Sequence, residues 1–190
     1  MAELTQTFSS VSLESCDFEV FLNFRSKDTR NNFIGFLHKA LEDSGIIVFI
    51  DSEELWAEES ISPALVKVIE NSKISIPVFS KDYASSKGCL EELLQIVHYH
   101  RSNGQIVLPI FFDVERSDVR DQSGSFEGSF REHEKNFEPQ VLESWKEALR
   151  MVGNLEGWVL EEDVNGNQAK LVELVVKRVL SEVIKNTLSV

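Results

Sequence analysis

Four near-continuous apolar runs punctuate the chain, at Phe18–Phe24, Ile46–Ile50, Ile74–Phe79 and Ile106–Phe112, with a weaker fifth at Trp158–Leu160. Strands covered on both faces read this way, because neither side needs polar residues. Between the runs the apolar period changes to that of a helix. After the first run, Phe33, Phe36, Leu37, Ala40 and Leu41 share one face. The pattern predicts helices at about Asn31–Asp43, Ile61–Asn71, Cys89–Arg101, Ser125–Asn136 with Val141–Val152, and Gln168–Lys185. Asp163–Asn167 reads as a turn before the last helix, whose Leu171, Leu174, Val175, Val179 and Val183 form one broad side for core packing.

Strand–helix alternation of this kind implies a parallel sheet with right-handed crossovers. Five strands at this spacing favour an α/β, flavodoxin-like sheet in the order 2-1-3-4-5 with helices on both faces. The polar, Ser/Thr-rich segment 1–16 is expected to be a disordered leader, and residues 17–187 one domain.

Composition narrows the function classes. Lys+Arg 19 against Asp+Glu 32 gives a net charge of −13, which argues against sequence-independent binding of nucleic acid. The two cysteines, Cys16 and Cys89, have no metal-ligand spacing and suit a reducing compartment. His98 and His100 are two apart on a helix and diverge by about 200°. His38 and His133 stand alone, so surface positions are expected for all four and no metal site is predicted. No apolar run reaches the ~20 residues of a membrane span.

Ligands of open α/β sheets bind beyond the carboxyl ends of the strands. Here the first strand stops at Phe24-Arg25-Ser26, followed by Asp28 and Arg30 just before a helix, a setting for an anion. Asp51 closes the second strand, and Ser86 precedes the helix that opens at Cys89. Glu91 and Glu92 lie in that helix's first turns. A wheel at 100° per residue puts Glu92 roughly 110° from the apolar centre and Glu91 roughly 150° away. Glu92 is thus the boundary residue and Glu91 the solvated one. A carboxylate held at a partly buried edge is a candidate for chemistry; a capping or surface role is its plain alternative.

Ordered blocks along the whole chain resemble a plant TIR (Toll/interleukin-1 receptor) domain, as at the N-terminus of TIR-type NLR immune receptors. They are Phe18-Glu19-Val20-Phe21-Leu22-Asn23-Phe24-Arg25 with Asp28-Thr29-Arg30, Ser80-Lys81-Asp82-Tyr83-Ala84, Cys89-Leu90-Glu91-Glu92-Leu93, Leu108-Pro109-Ile110-Phe111-Phe112-Asp113-Val114 and Gly157-Trp158. The resemblance implies the five-stranded flavodoxin-like fold, self-association with other TIR domains, a cytoplasmic setting in plant defence, and NAD⁺ as a substrate rather than a bound cofactor. The glutamate of the family's Cys-Leu-x-Glu-Leu motif falls on Glu92. In that role it would stabilise an oxocarbenium-like transition state as nicotinamide leaves. The resemblance places Phe24, Arg25, Ser26, Asp28, Arg30, Asp51, Ser86 and Gly88 around the NAD⁺ pocket. It matches the first helix and Val141–Val152 to helices that pair between domains, with Asn32, Gly35 and Lys39 on one and Glu143, Lys146 and Arg150 on the other as contact candidates.

The chain departs from the family pattern at four positions near that rim. Ser26 replaces a glycine, Gly88 an aromatic, Glu58 a loop glycine and Arg116 a proline. A Cβ at position 26 narrows backbone approach, and an absent ring at 88 forgoes stacking on a ligand. Two functions therefore compete: an assembly-dependent NAD⁺ hydrolase, and an interaction module that signals by TIR–TIR contacts with little or no turnover.

Overall fold

The computed structural model describes residues 17–29, 33–50 and 61–189, with the side chains of Asp28 and Thr29 excepted. The described residues form six short strands: β1 (Val20–Phe24), β2 (Val48–Ile50), β3 (Ile74–Phe79), β4 (Ile106–Val107), β5 (Ile110–Phe111) and β6 (Trp158–Val159). All pairings are parallel. The sheet runs β2-β1-β3-β5-β6, and β4 also pairs with β3.

The expected five strands become six because the fourth is interrupted. Ile74 faces Ile106 and Val78 faces Ile110 at one constant offset, so Pro77 lies opposite Pro109. Neither proline has an N–H to give to the ladder, and pairing lapses there. It resumes at once, with Phe112 N–H donating to Phe79 O at 2.9 Å. The expected strand order survives, the fourth strand being present in two pieces. At the sheet's far side Gly157 has no room for a Cβ, which would overlap the Pro109 carbonyl oxygen and lie 2.8 Å from Pro109 Cγ.

The helices are α1 (Ser26–Thr29), α2 (Gly35–Asp43), α3 (Pro63–Asn71), α4 (Lys87–Asn103), α5 (Arg116–Asp121), α6 (Ser125–His133), α7 (Pro139–Gly153), α8 (Leu160–Val164) and α9 (Gln168–Leu188). A 3₁₀ turn spans Tyr83–Ser85. Three of the helices and that turn were not predicted: α1, α5 and α8 are too short for a 3.6-residue period to declare itself. The turn expected at Asp163–Asn167 is shorter than predicted. Helix α8 runs through Val164, and Asn165 (φ 50°) and Gly166 (φ 73°) make the left-handed exit.

Two cores flank the sheet. One contains Phe21 and Phe79 with residues of α3, α4, α5, α6 and α7. The other contains Val20, Leu22, Phe24, Ile74, Ile76 and Val78 with residues of α2, α8 and α9. Side chains alternate along a strand, so the odd positions of β1 and β3 face α4 and the even ones face α2 and α9. In α9, Leu171, Val175 and Val179 are fully buried, whereas Leu174 and Val183 only border the core.

Candidate active site

Helix α4 starts where β1 and β3 end. Its N-cap is Ser86, whose Oγ accepts from Cys89 N–H at 3.1 Å. Ser86, a pocket candidate from the resemblance, thus caps α4 and satisfies one orphan N–H of the first turn. Cys89 Sγ donates to Phe24 O at 3.4 Å and ties the helix to the end of β1. Glu92 follows by about one turn.

Glu92 is 5% exposed, deeper than the boundary position that the wheel assigns. Glu91 is half-buried rather than solvated. Both shifts have one cause. The start of α4 packs against β1 and the 3₁₀ turn as well as the sheet, so protein surrounds more of it than its own apolar stripe implies. Inside, Asn23 Nδ2 donates to Glu92 Oε2 at 2.8 Å and lies 3.4 Å from Cys89 O. The Tyr83 hydroxyl donates a short hydrogen bond to Asn23 Oδ1 and lies 3.2 Å from Cys89 O.

Asn23 and Tyr83 were not singled out from the sequence. A signal existed for the first: it is a lone amide inside the strand Val-Phe-Leu-Asn-Phe, and a polar group there must find a partner. Tyr83 lies just beyond Phe79, against whose ring it packs edge-on at 4.7 Å, and it stacks at 6.4 Å from Phe126. His133 corrects the expectation of surface histidines. It is 8% exposed, and its Nε2 lies 2.8 Å from Ala84 O, so α6 braces the same turn.

The remaining predicted site residues distribute unevenly. The Phe24 ring is buried with Phe33, Ile34 and Leu37 on the α2 side; only its carbonyl joins the α4 side. Arg25 and Ser26 follow at the strand end, half-buried and both engaged in interactions. Gly88 sits in the first turn of α4, where an added Cβ would meet only Ser86 Oγ at 3.7 Å. The Asp28 side chain, Arg30, Asn32, Asp51 and Glu58 lie outside the described residues. Arg116, counted among the departures of the rim, is engaged elsewhere: Nη1 donates to Gly153 O at 3.1 Å and Leu155 O at 2.5 Å.

The contact candidates do not make one surface. Gly35 and Lys39 are exposed on α2, with Lys39 paired to Asp43 at 2.9 Å. Glu143 and Arg150 are exposed on α7, 3.7 Å apart, and Lys146 is half-buried over the Phe130 ring at 5.4 Å. Because α2 and α7 cover opposite faces of the sheet, the two sets point away from each other. The helix that packs beside α2 is α9. Among the described residues no group of three or more acidic, His or Cys side chains forms a metal cluster, and no helix is long and apolar enough to cross a membrane.

A parallel sheet covered on both faces, with an acidic side chain held inside at the start of a helix beside the strand ends, defines a class of α/β domain. The TIR domain family model matches residues 17–189, and the chain belongs to that family. Its relatives are plant disease resistance proteins. It is 46% identical over 167 residues to the disease resistance-like protein DSC1 of Arabidopsis thaliana, covering 86% of this chain and 14% of that protein. To the TMV resistance protein N of Nicotiana glutinosa it is 38% identical over 183 residues, covering 95% of this chain and 16% of the relative. The chain thus spans only a small part of the relatives' length. Among solved structures it resembles the TIR domains of the activated Roq1 resistosome, which directly recognises the pathogen effector XopQ, with TM-score 0.80 and 41% identity over 85% of this chain and 98% of that one. The TIR heterodimer of RPS4 and RRS1, at 17% identity and TM-score 0.52, shares the fold.

Proposed function

We propose that this TIR domain works in plant immune signalling, in the cytoplasm, and hydrolyses NAD⁺ when several copies assemble. The observation that supports this is the buried Glu92 carboxylate, held by Asn23 at the start of α4 beside the strand ends. Hydrolysis breaks the bond between the nicotinamide nitrogen and the ribose carbon. Nicotinamide leaves as a neutral amine and takes the bond's electrons, so no strong general acid is needed. Positive charge grows on the ribose carbon and ring oxygen, and a fixed carboxylate stabilises it. Water completes the reaction, yielding an ADP-ribose-type product and a proton released to solvent. Assembly enters because the related Roq1 TIR domains belong to a resistosome, and tethering raises the effective concentration of one domain around another.

A second reading has its own support. Ser86 Oγ already accepts the helix-cap bond, and Gly88 offers no ring for a base to stack on. On that reading the domain is an adaptor that signals by TIR–TIR contact. NAD⁺ consumption by the domain fused to an oligomeric scaffold, beside Glu92→Ala and Glu92→Gln, separates the two. Turnover lost in both variants is expected. No turnover in an assembled parent, or turnover that survives both changes, would refute the hydrolase reading.

A further inference from the structure

We propose that Asn23 and Tyr83 are positioning residues that fix the orientation of the Glu92 carboxylate; the inference rests on the hydrolase reading of Glu92. An ionised carboxylate only accepts hydrogen bonds. The amide edge of Asn23 that faces Glu92 Oε2, 2.8 Å away, must therefore be the NH₂ edge. That choice turns Asn23 Oδ1 toward Tyr83 and makes the phenol the donor. Flipping the amide would set two acceptors against each other at Glu92. Each group thus has one orientation that satisfies the next, and the chain of bonds runs from Tyr83 to Asn23 to Glu92.

The anchoring end is rigid. The Tyr83 ring is fully buried between Phe79 of β3 and Phe126 of α6. Asn23 is fully buried one residue from the end of β1, opposite Pro77 of β3, and the strand before it is paired on both sides by β2 and β3. Core packing alone has no use for an amide here, since the other four residues of β1 are apolar. Burying one is costly unless every polar atom is met, and here its NH₂ meets Glu92 Oε2 and Cys89 O of α4 while its oxygen meets the Tyr83 hydroxyl of the 3₁₀ turn. The pyridinium of NAD⁺ is already cationic in the ground state, so a carboxylate's orientation matters less there. It matters when charge develops in the transition state, which is where preorganised groups act. The defect expected of a broken relay is thus in kcat rather than KM.

The test uses the scaffold-tethered domain. Asn23→Leu keeps the volume and removes the donor; it should lower kcat about 10- to 100-fold and leave KM within about threefold. Tyr83→Phe keeps both ring contacts and leaves Asn23 Oδ1 without its phenol donor, so the amide is held less firmly; it should lower kcat about three- to tenfold with the same pattern. A second measurement needs no catalysis. Urea midpoints of the parent, Asn23→Leu, Glu92→Leu and the double variant form a cycle, and the double variant should shift less than the sum of the single shifts, because removing both partners leaves no orphaned charge. Additive shifts, or an Asn23→Leu defect confined to KM, would overturn the proposal. If the parent leaves NAD⁺ untouched, the hydrolase reading falls while the midpoint cycle still decides whether Asn23 holds Glu92.

Discussion

Arg116 offers a sharp separation between a residue that matters to the site and one that matters to the fold. The family resemblance has proline at this position, which made Arg116 a candidate for a damaged rim. In the structure it is the first residue of α5, and its guanidinium does three things there. Nη1 donates to Gly153 O at 3.1 Å and to Leu155 O at 2.5 Å, which are carbonyls at the end of α7. The guanidinium carbon lies 4.6 Å from the centre of the Phe111 ring on β5. One side chain thus joins α5, the end of α7 and the sheet. The packing behind it is tight, since a Cβ on Gly153 would lie 2.9 Å from Arg120 Cα.

Arg116→Pro tests this cleanly, because proline is accepted at the first helical position and the backbone need not move. What is lost is the side chain. Hydrogen bonds from a charged donor contribute about 1.5–3 kcal/mol, discounted here because Arg116 is only half-buried. The cation–π contact adds about 0.5–1 kcal/mol. A loss of about 2–3 kcal/mol lowers Tm by about 5–10 °C in a domain of this size. Arg116→Lys should recover less than half, since an ammonium lacks both the fork and the flat face. Differential scanning calorimetry of the three proteins reads the shift, and the tethered assay reads NAD⁺ turnover beside it. A proline variant that melts within about 2 °C of the parent would refute the structural role. One that raises turnover would return Arg116 to the rim.

Other substitutions probe the remaining joints. Gly157→Ala should push β6 off β5, break the 3.1 Å bond from Trp158 N–H to Pro109 O, and cost about 3–5 kcal/mol, read as a Tm drop of about 8–15 °C; a drop under about 3 °C would contradict the close approach. Ser86→Ala should remove the α4 cap at a cost of about 1 kcal/mol in urea unfolding. Its effect on turnover should follow the loosened helix start, so Ser86→Asp, which can also cap, should restore both; failure to restore turnover would make the hydroxyl a ligand contact instead. Gly88→Trp puts its Cβ in ordinary contact with Ser86 Oγ at 3.7 Å, and if a base stacks there it should lower KM for NAD⁺ by about 5- to 150-fold, stacking being worth about 1–3 kcal/mol; an unchanged or higher KM would remove position 88 from the pocket.

Much of the site was legible because the sheet declares itself. Strands buried on both sides are written as unbroken apolar runs, and β1, β2 and β3 fall inside the predicted spans. Helical geometry separated Glu92 from Glu91 and the family resemblance gave it a role, but its depth was not legible, since the wheel knows nothing of Tyr83 and Asn23 closing over the start of α4. The broken fourth strand depends on two prolines 32 residues apart meeting across a ladder, a coincidence of register that no local pattern reveals. Short helices such as α5 and α8 exist because the chain must turn where the sheet requires it.

The contact surfaces teach a different lesson, because there the answer was already implied by the predicted strand order. In a sheet ordered 2-1-3-4-5 with right-handed crossovers, the step from the first strand to the second runs opposite in direction to every later step. Its helix must therefore lie on the other face from the helices of the later crossovers. That places α2 opposite α3, α4 and α7, as found, and leaves the last helix to return beside α2. The contact candidates on α2 and on Val141–Val152 therefore lie on opposite faces of one domain, and this bears on function. Glu92 sits on α4, on the face away from α2 and α9. An assembly contact through α2 would leave the α4 face uncovered, whereas one through α7 would form on the face that carries the acid. Lys39→Glu and Lys146→Glu, made singly in the tethered protein, should separate the two. If α2 carries assembly, Lys39→Glu weakens concentration-dependent association and Lys146→Glu does not; equal loss in both variants would mean that copies of the domain meet through both faces of the sheet.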